Sequence, residues 1–162
     1  ASTMHKGTTF TITITLPLSN EQEKIANYFQ STQERQYGNS KILVAEDNPV
    51  NQKVIMKHLQ TLGIQFECVE NGLEALNRFK RANFDLIIMD CHMPEMDGYM
   101  ATERIRAYEI AEQKEPTPIV AVTANAMLGE EQRCLDIGMN DYLTKPYKRD
   151  DLINLIDKWL VS

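Results

Sequence analysis

Lys41-Ile42-Leu43-Val44-Ala45-Glu46-Asp47-Asn48-Pro49-Val50 is an apolar run that closes on two carboxylates and then turns into a helix. An unbroken apolar run of this length is the pattern of a strand covered on both faces, as in a parallel sheet. Asn48 can cap the helix that follows, and Pro49 suits its first turn. Val50, Val54, Ile55, Leu59 and Leu62 then recur at helical spacing until Gly63 stops them. The stretch predicts one strand, one turn and one helix.

The same unit repeats along the chain. Residues 65–69, 85–90, 119–123 and 141–143 are predicted as strands. Helices are predicted to start near Gly72, Asp97 and Leu128, and a last one runs from about Asp150 through Leu152, Leu155, Ile156 and Trp159. Five strand–helix units give an α/β class fold, a doubly wound parallel sheet with helices on both faces. In such a sheet the carboxyl ends of the strands open onto one crevice. That crevice is where chemistry is expected.

Composition removes other classes. Seventeen Lys plus Arg against 23 Asp plus Glu leave a net charge of -6, with no basic, aromatic-interleaved surface of the kind that nucleic-acid phosphates need. No apolar run approaches the ~20 residues of a membrane span, so no membrane contact is expected from this chain. Cys68, Cys91 and Cys134 are odd in number and widely spaced in apolar surroundings. They are expected to be buried free thiols in a reducing, cytoplasmic setting.

The residues before 41 differ in character. Phe10, Ile12, Ile14 and Leu16 alternate with threonines up to Pro17, the period of a strand with one buried face. Residues 19–40 are polar and charged, with Ile25 and Phe29 spaced as on a helical turn. The expected organisation is a terminal strand over 1–18, a linker over 19–40 and a domain over 41–162. A lone strand has unpaired backbone groups, so it is expected to pair with a neighbouring molecule as a dimer contact, or to lie on the domain surface.

Glu46, Asp47 and Asp90 each stand where a strand ends. An acidic residue there is more often a helix cap, and Asp97 and Asn71 are taken as caps. Three carboxylates converging on one crevice are another matter. A pair at ~4 Å repels by roughly 4 kcal/mol at an effective dielectric of about 20. Either a proton is shared or a cation is bound. A few hard oxygen ligands with room for water and a phosphoryl group favour Mg²⁺. Thr123 adds a hydroxyl, Ala124 and Asn125 add little bulk, and Lys145 adds an ammonium. This set suits phosphoryl transfer, with Asp90 as nucleophile and Glu46 and Asp47 holding the metal.

Four stretches carry a resemblance: Ile42-Leu43-Val44-Ala45-Glu46-Asp47-Asn48-Pro49-Val50-Asn51, Met89-Asp90-Cys91-His92-Met93-Pro94-Glu95-Met96-Asp97-Gly98, Val122-Thr123-Ala124-Asn125-Ala126 and Tyr142-Leu143-Thr144-Lys145-Pro146. In that order they resemble the receiver domain of two-component signalling over about residues 41–160. The resemblance implies a flavodoxin-like (βα)5 fold with strand order 2-1-3-4-5. It implies that Asp90 is the phosphoacceptor and that Mg²⁺ binds Asp47, Asp90 and the backbone carbonyl of His92, with Glu46 reaching the metal through water. Thr123 and Lys145 would contact the phosphoryl oxygens, Tyr142 would be an aromatic switch following Thr123, and Lys145-Pro146 would be a cis peptide. The His92 side chain would tune access of water or partner.

Residues 7–18 are similar to the last strand of a sensor histidine kinase's ATP-binding domain. Together the two resemblances imply the receiver of a hybrid histidine kinase, whose parent chain is free to carry a membrane anchor. It would take a phosphoryl group from a phosphohistidine donor domain and relay it to a histidine phosphotransfer domain. Docking is expected at Val50, Asn51 and Val54 with the loop at Pro146 and Tyr147. A stand-alone response regulator remains an alternative, as does a Mg²⁺-dependent aspartyl-phosphate hydrolase. Such hydrolases want a second aspartate where His92 stands. A flavin carrier fits less well, because Glu46 and Asp47 would repel the flavin phosphate.

Overall fold

Parallel pairing puts β1 (Lys41–Ala45) second in a five-stranded sheet, between the edge strand β2 (Gln65–Val69) and the central strand β3 (Leu86–Asp90). β4 (Ile119–Thr123) and β5 (Asp141–Thr144) follow on the β3 side, giving the order β2-β1-β3-β4-β5. Between the strands run α1 (Pro49–Thr61), α2 (Gly72–Phe79), α3 (Gly98–Ala111) and α4 (Glu130–Asp136), and α5 (Arg149–Leu160) closes the domain. The computed structural model describes residues 37–124 and 129–161. The terminal strand and its expected pairing, the linker up to residue 36, Asn125 and Leu128 lie outside them.

The sheet is covered on both faces, as the apolar runs require. Leu43, Ala45, Ile87, Met89, Ile119 and Ala121 face one layer, filled from α2, α3 and α4 by side chains such as Leu76, Phe79, Ile105 and Cys134. Ile42, Val44, Leu86, Ile88, Val120 and Val122 face the other, filled from α1 and α5 by Ile55, Leu59, Leu152 and Ile156. Every residue of β3 and β4 is buried, whereas the edge strand β2 is graded from exposed Gln65 to buried Val69. That gradient corrects one expectation: Cys68 is only half-buried, because among the described residues no strand pairs with the outer edge of β2. Cys91 and Cys134 are buried thiols, and their sulfurs meet at 4.0 Å.

The helix starts follow the chemistry read from the sequence. The Asn48 side chain accepts from the Val50 N–H at 2.9 Å, Asn71 from Glu74 at 2.8 Å and Asp97 from Met100 at 2.8 Å. Each such cap stabilises by about 1 kcal/mol. Tyr37 also belongs to the packed domain, since its ring is buried in the α1/α5 layer and its hydroxyl donates to Asp157 at 2.6 Å.

At the amino ends of the strands, away from the crevice, a polar pin fixes β4 against β5. Buried Glu109 accepts from the Thr117 N–H at 2.7 Å and from the Arg106 guanidinium at 2.6 Å. Arg106 also donates to the Gly138 carbonyl and to Asn140, whose side-chain oxygen takes the Ile119 N–H as well. Among the described residues no helix is long and apolar enough to cross a membrane.

Candidate functional site

The site forms where the strand order reverses, the position at which an open parallel sheet leaves a crevice between diverging connections. Ala45 pairs with Met89, so the next residues, Glu46 and Asp90, stand side by side at the sheet's carboxyl edge. Asp90 in turn pairs with Val122, which places Thr123 one step further along the neighbouring strand. The Lys145 N–H extends the β4–β5 ladder by donating to the Thr123 carbonyl at 2.7 Å. Register alone therefore gathers two carboxylates, a hydroxyl and an ammonium.

Lys145 joins them. Its ammonium donates to Asp90 Oδ2 at 2.5 Å and to Glu46 Oε2 at 2.6 Å. Glu46 and Asp90 are 1% and 6% exposed, so this pairing is made largely out of water. Burial pulls the Lys145 ammonium down, but hydrogen bonds and charge from Asp90 and Glu46 outweigh it and hold its pKa above the ordinary lysine value. The lysine stays charged. The lysine leads into a cis Lys145-Pro146 bond, as the resemblance implies.

Asp47, on the exposed side, completes an acidic set. Glu46, Asp47 and Asp90 can each offer one carboxylate oxygen within 4.8 Å of the others. The remaining Asp90 oxygen, Oδ1, accepts the His92 N–H at 3.0 Å. His92 itself points its ring into the open, edge-on to Tyr99 at 5.9 Å between centroids.

Two roles were not legible beforehand. The Asn51 side chain, expected on the docking surface, donates to Glu46 Oε1 at 2.8 Å and so orients that carboxylate. Gln52, which no sequence pattern singled out, donates to the Glu46 carbonyl at 2.6 Å. The only available signal was their place in the first turn after a strand-end acid. Val50 and Val54 do stand out from the surface, at 66% and 45% exposure. Val54 and Asn51 line a cleft of about 400 Å³ with Ala124, Lys145, Pro146 and Tyr147, directly beside the acidic set. Burial, with the negative charges of Glu46 and Asp90, pushes the Tyr147 phenol up to about 12.

Tyr142 lies on β5 with its side chain 36% exposed, and Glu131 beside it raises its pKa. Gly98 shows how tightly the loop after Asp90 folds back. A Cβ at that position would stand 2.1 Å from the Asp90 carbonyl oxygen and 2.9 Å from the Met89 side chain. Only glycine fits there.

Comparison with known proteins agrees with this fold. The family model described as response regulator receiver domain matches residues 42–157. Hybrid signal transduction histidine kinase B of Dictyostelium discoideum is 46% identical over 129 residues, covering 74% of this chain and 7% of that protein. The curated relatives at the top of the comparison are much longer proteins, of which this chain spans 4–13%. Among solved structures, the receiver domain of sensor histidine kinase PA1611 from Pseudomonas aeruginosa PAO1, with a magnesium ion coordinated in its active-site cleft, superposes with TM-score 0.69. It is 45% identical, covering 77% of this chain and 100% of that one. The receiver domain of the Saccharomyces cerevisiae response regulator Ssk1, solved with the histidine phosphotransfer protein Ypd1, gives TM-score 0.73 at 32% identity, covering 76% and 90%. With a family match over residues 42–157 and a solved receiver domain 45% identical over 77% of its length, the chain belongs to the response regulator receiver domain family.

Proposed function

We propose that this receiver accepts a phosphoryl group from a phosphohistidine onto Asp90 in a Mg²⁺-dependent reaction. It then relays the group to a histidine phosphotransfer partner, as the receiver of a hybrid sensor histidine kinase. One observation carries the reading: Asp90 sits at the sheet edge with Lys145 at 2.5 Å on one carboxylate oxygen and two further carboxylates within 4.8 Å. The donor set is all oxygen, small and open to water on the Asp47 side, which fits Mg²⁺ rather than zinc. The metal bound in the similar Pseudomonas aeruginosa domain supports this choice.

Asp47, Asp90 and the His92 carbonyl would hold the ion, with Glu46 reaching it through water. When bound, Mg²⁺ supplies the positive charge that the phosphoryl oxygens need during transfer. An Asp90 oxygen forms the new bond to phosphorus as the phosphorus–nitrogen bond to the donor imidazole breaks. Lys145 exchanges a carboxylate contact for a phosphoryl oxygen, and the Thr123 hydroxyl donates to another. Tyr142 follows Thr123 as the switch. Return of the group to a second histidine reverses the same step.

Val50 and Val54, with Pro146 across the cleft, supply the docking surface, and Asn51 sits at its inner rim. The complex of Ypd1 with the Ssk1 receiver supports a phosphotransfer domain as partner. Mass spectrometry after treatment with acetyl phosphate and Mg²⁺ tests the reaction. The wild type should gain one phosphoryl group and Asp90→Asn none; an unchanged adduct in the variant refutes the assignment. Val54→Glu should slow transfer from a protein donor and leave labelling by acetyl phosphate intact, and equal loss with both donors would remove that surface from the reading.

A further inference from the structure

Tyr99 stands between the loop that carries Asp90 and helix α4, and it touches both. It lies in the first turn of α3, 4% exposed. On the loop side its ring meets that of His92 at right angles, 5.9 Å between centroids, and the His92 backbone N–H is the donor to Asp90 Oδ1. On the helix side its hydroxyl donates to the Glu130 carboxylate, and the Arg133 guanidinium lies over its ring, 3.9 Å from the centroid. Beneath these contacts the Cys91 and Cys134 sulfurs join the same two segments at 4.0 Å.

α4 has few local means of holding its place. It has seven residues, fewer than an isolated helix needs, and its amino end starts at Gly129 with no side-chain cap. Its position therefore depends on tertiary contacts, and Tyr99 supplies two of them. Placing a phosphoryl group on Asp90 moves negative charge outward and changes the acceptor that His92 donates to. The His92 ring packs edge to face with Tyr99, so a shift of His92 alters one contact of a residue whose hydroxyl has Glu130 as its acceptor.

We propose that Tyr99 is a positioning residue that couples the Asp90 carboxylate to α4, so that modifying Asp90 loosens the hold on α4 and loosening α4 favours the modified Asp90. The coupling is reciprocal by thermodynamic necessity. It rests on Asp90 being the phosphoacceptor. In the arrangement described, Lys145 and His92 grip the free carboxylate while Tyr99 grips Glu130, so the two grips favour each other.

Beryllium fluoride with Mg²⁺, a mimic of the phosphoryl group, tests this with fluorine NMR for affinity and amide hydrogen exchange for α4. Tyr99→Phe keeps the ring contacts and removes the Glu130 bond. It should tighten apparent beryllofluoride affinity by roughly three- to tenfold. Exchange over residues 130–137 should rise on beryllofluoride addition in the wild type, and in the variant it should already be fast and change little. Glu130→Ala removes the same bond from the other end, so the double variant should match either single one. Unchanged affinity, with exchange raised equally in both conditions, would make Tyr99 merely structural and overturn the proposal; so would additive single effects. If the wild type takes an acetyl phosphate adduct on Asp90 while the variants bind beryllofluoride as the wild type does, the receiver reading stands and the coupling falls. If the wild type takes neither ligand, both fall.

Discussion

Lys145 and Asp90, 55 residues apart in the chain, meet at 2.5 Å, with the same ammonium 2.6 Å from Glu46. One lysine therefore bridges two buried acids, leaving net negative charge at a sheet edge that also carries Asp47. Lys145→Met should cost about 3 kcal/mol of stability, because it strands buried charge. Mg²⁺ should recover part of that loss by taking the place of the ammonium, since a ligand that binds only the folded state stabilises it. Urea denaturation of both proteins with and without Mg²⁺ is the measurement. A deficit that Mg²⁺ leaves unaltered would mean that the metal and the lysine do not share the same carboxylates.

Gly98→Ala should both destabilise the domain and spoil the site. Its Cβ would press on the Asp90 carbonyl from 2.1 Å, with backbone on both sides of the clash. Overpacking of this kind costs about 1–3 kcal/mol. The displacement falls on Asp90 itself, so the acetyl phosphate adduct should decline even in protein that remains folded at low temperature. Full labelling in the folded variant would show that the loop can yield without moving the carboxylate.

Glu109→Ala should be among the costliest substitutions far from the crevice. It leaves the Arg106 guanidinium, 16% exposed, without its carboxylate, and leaves the Thr117 N–H without its acceptor. Removing one partner of a buried ion pair costs about 3–5 kcal/mol. Chemical denaturation reads the loss. Because the pin lies at the opposite ends of the strands, Mg²⁺ affinity of the folded variant should stay within about twofold of wild type.

The hydrogen bond from Lys41, with the nearby charges of Lys41 and Arg78 working against burial, holds the Glu67 carboxyl below its ordinary value. A depressed carboxyl contributes stability above its unfolded pKa, and that contribution is lost as pH falls through the folded value. Glu67→Gln should thus be less stable than wild type at pH 7. The difference should narrow below about pH 4 and disappear once both states carry the proton. Urea midpoints at pH 7 and in acid check the sign, and a gap that persists at the acid end would assign the effect to packing.

Much of this architecture was written in the chain, for a physical reason. A strand buried on both faces has to be apolar at every position, so Leu43 in β1, Ile87 in β3 and Val120 in β4 announce themselves without reference to anything else. The first polar residue after each run then marks the sheet edge, which is how Glu46, Asp90 and Thr123 could be placed in one crevice before their distances were known. Asn71 and Asp97 were legible as caps because capping is local.

What escaped reading is long-range and polar. Tyr99 and Glu130 are separated by 31 residues, Arg106 and Asn140 by 34, and neither pair leaves a period or a spacing to detect. Asn51 looked like surface because its helix turn does, and only the tertiary fold shows its amide directed at Glu46. Cys68 was expected to be buried from its apolar neighbours. Edge position, which depends on strand order rather than composition, leaves it half-exposed.

The sheet also divides the interior into two layers that share no side chain, one beneath α1 and α5 and the other beneath α2, α3 and α4. Substitutions in separate layers should add in their effects on stability, whereas those within a layer should interact. The proposed docking helix belongs to the first layer, and Tyr99 with α4 belongs to the second. Selection can therefore remodel the choice of partner and the response to phosphorylation as separate traits, with only the carboxyl edge of the sheet common to both.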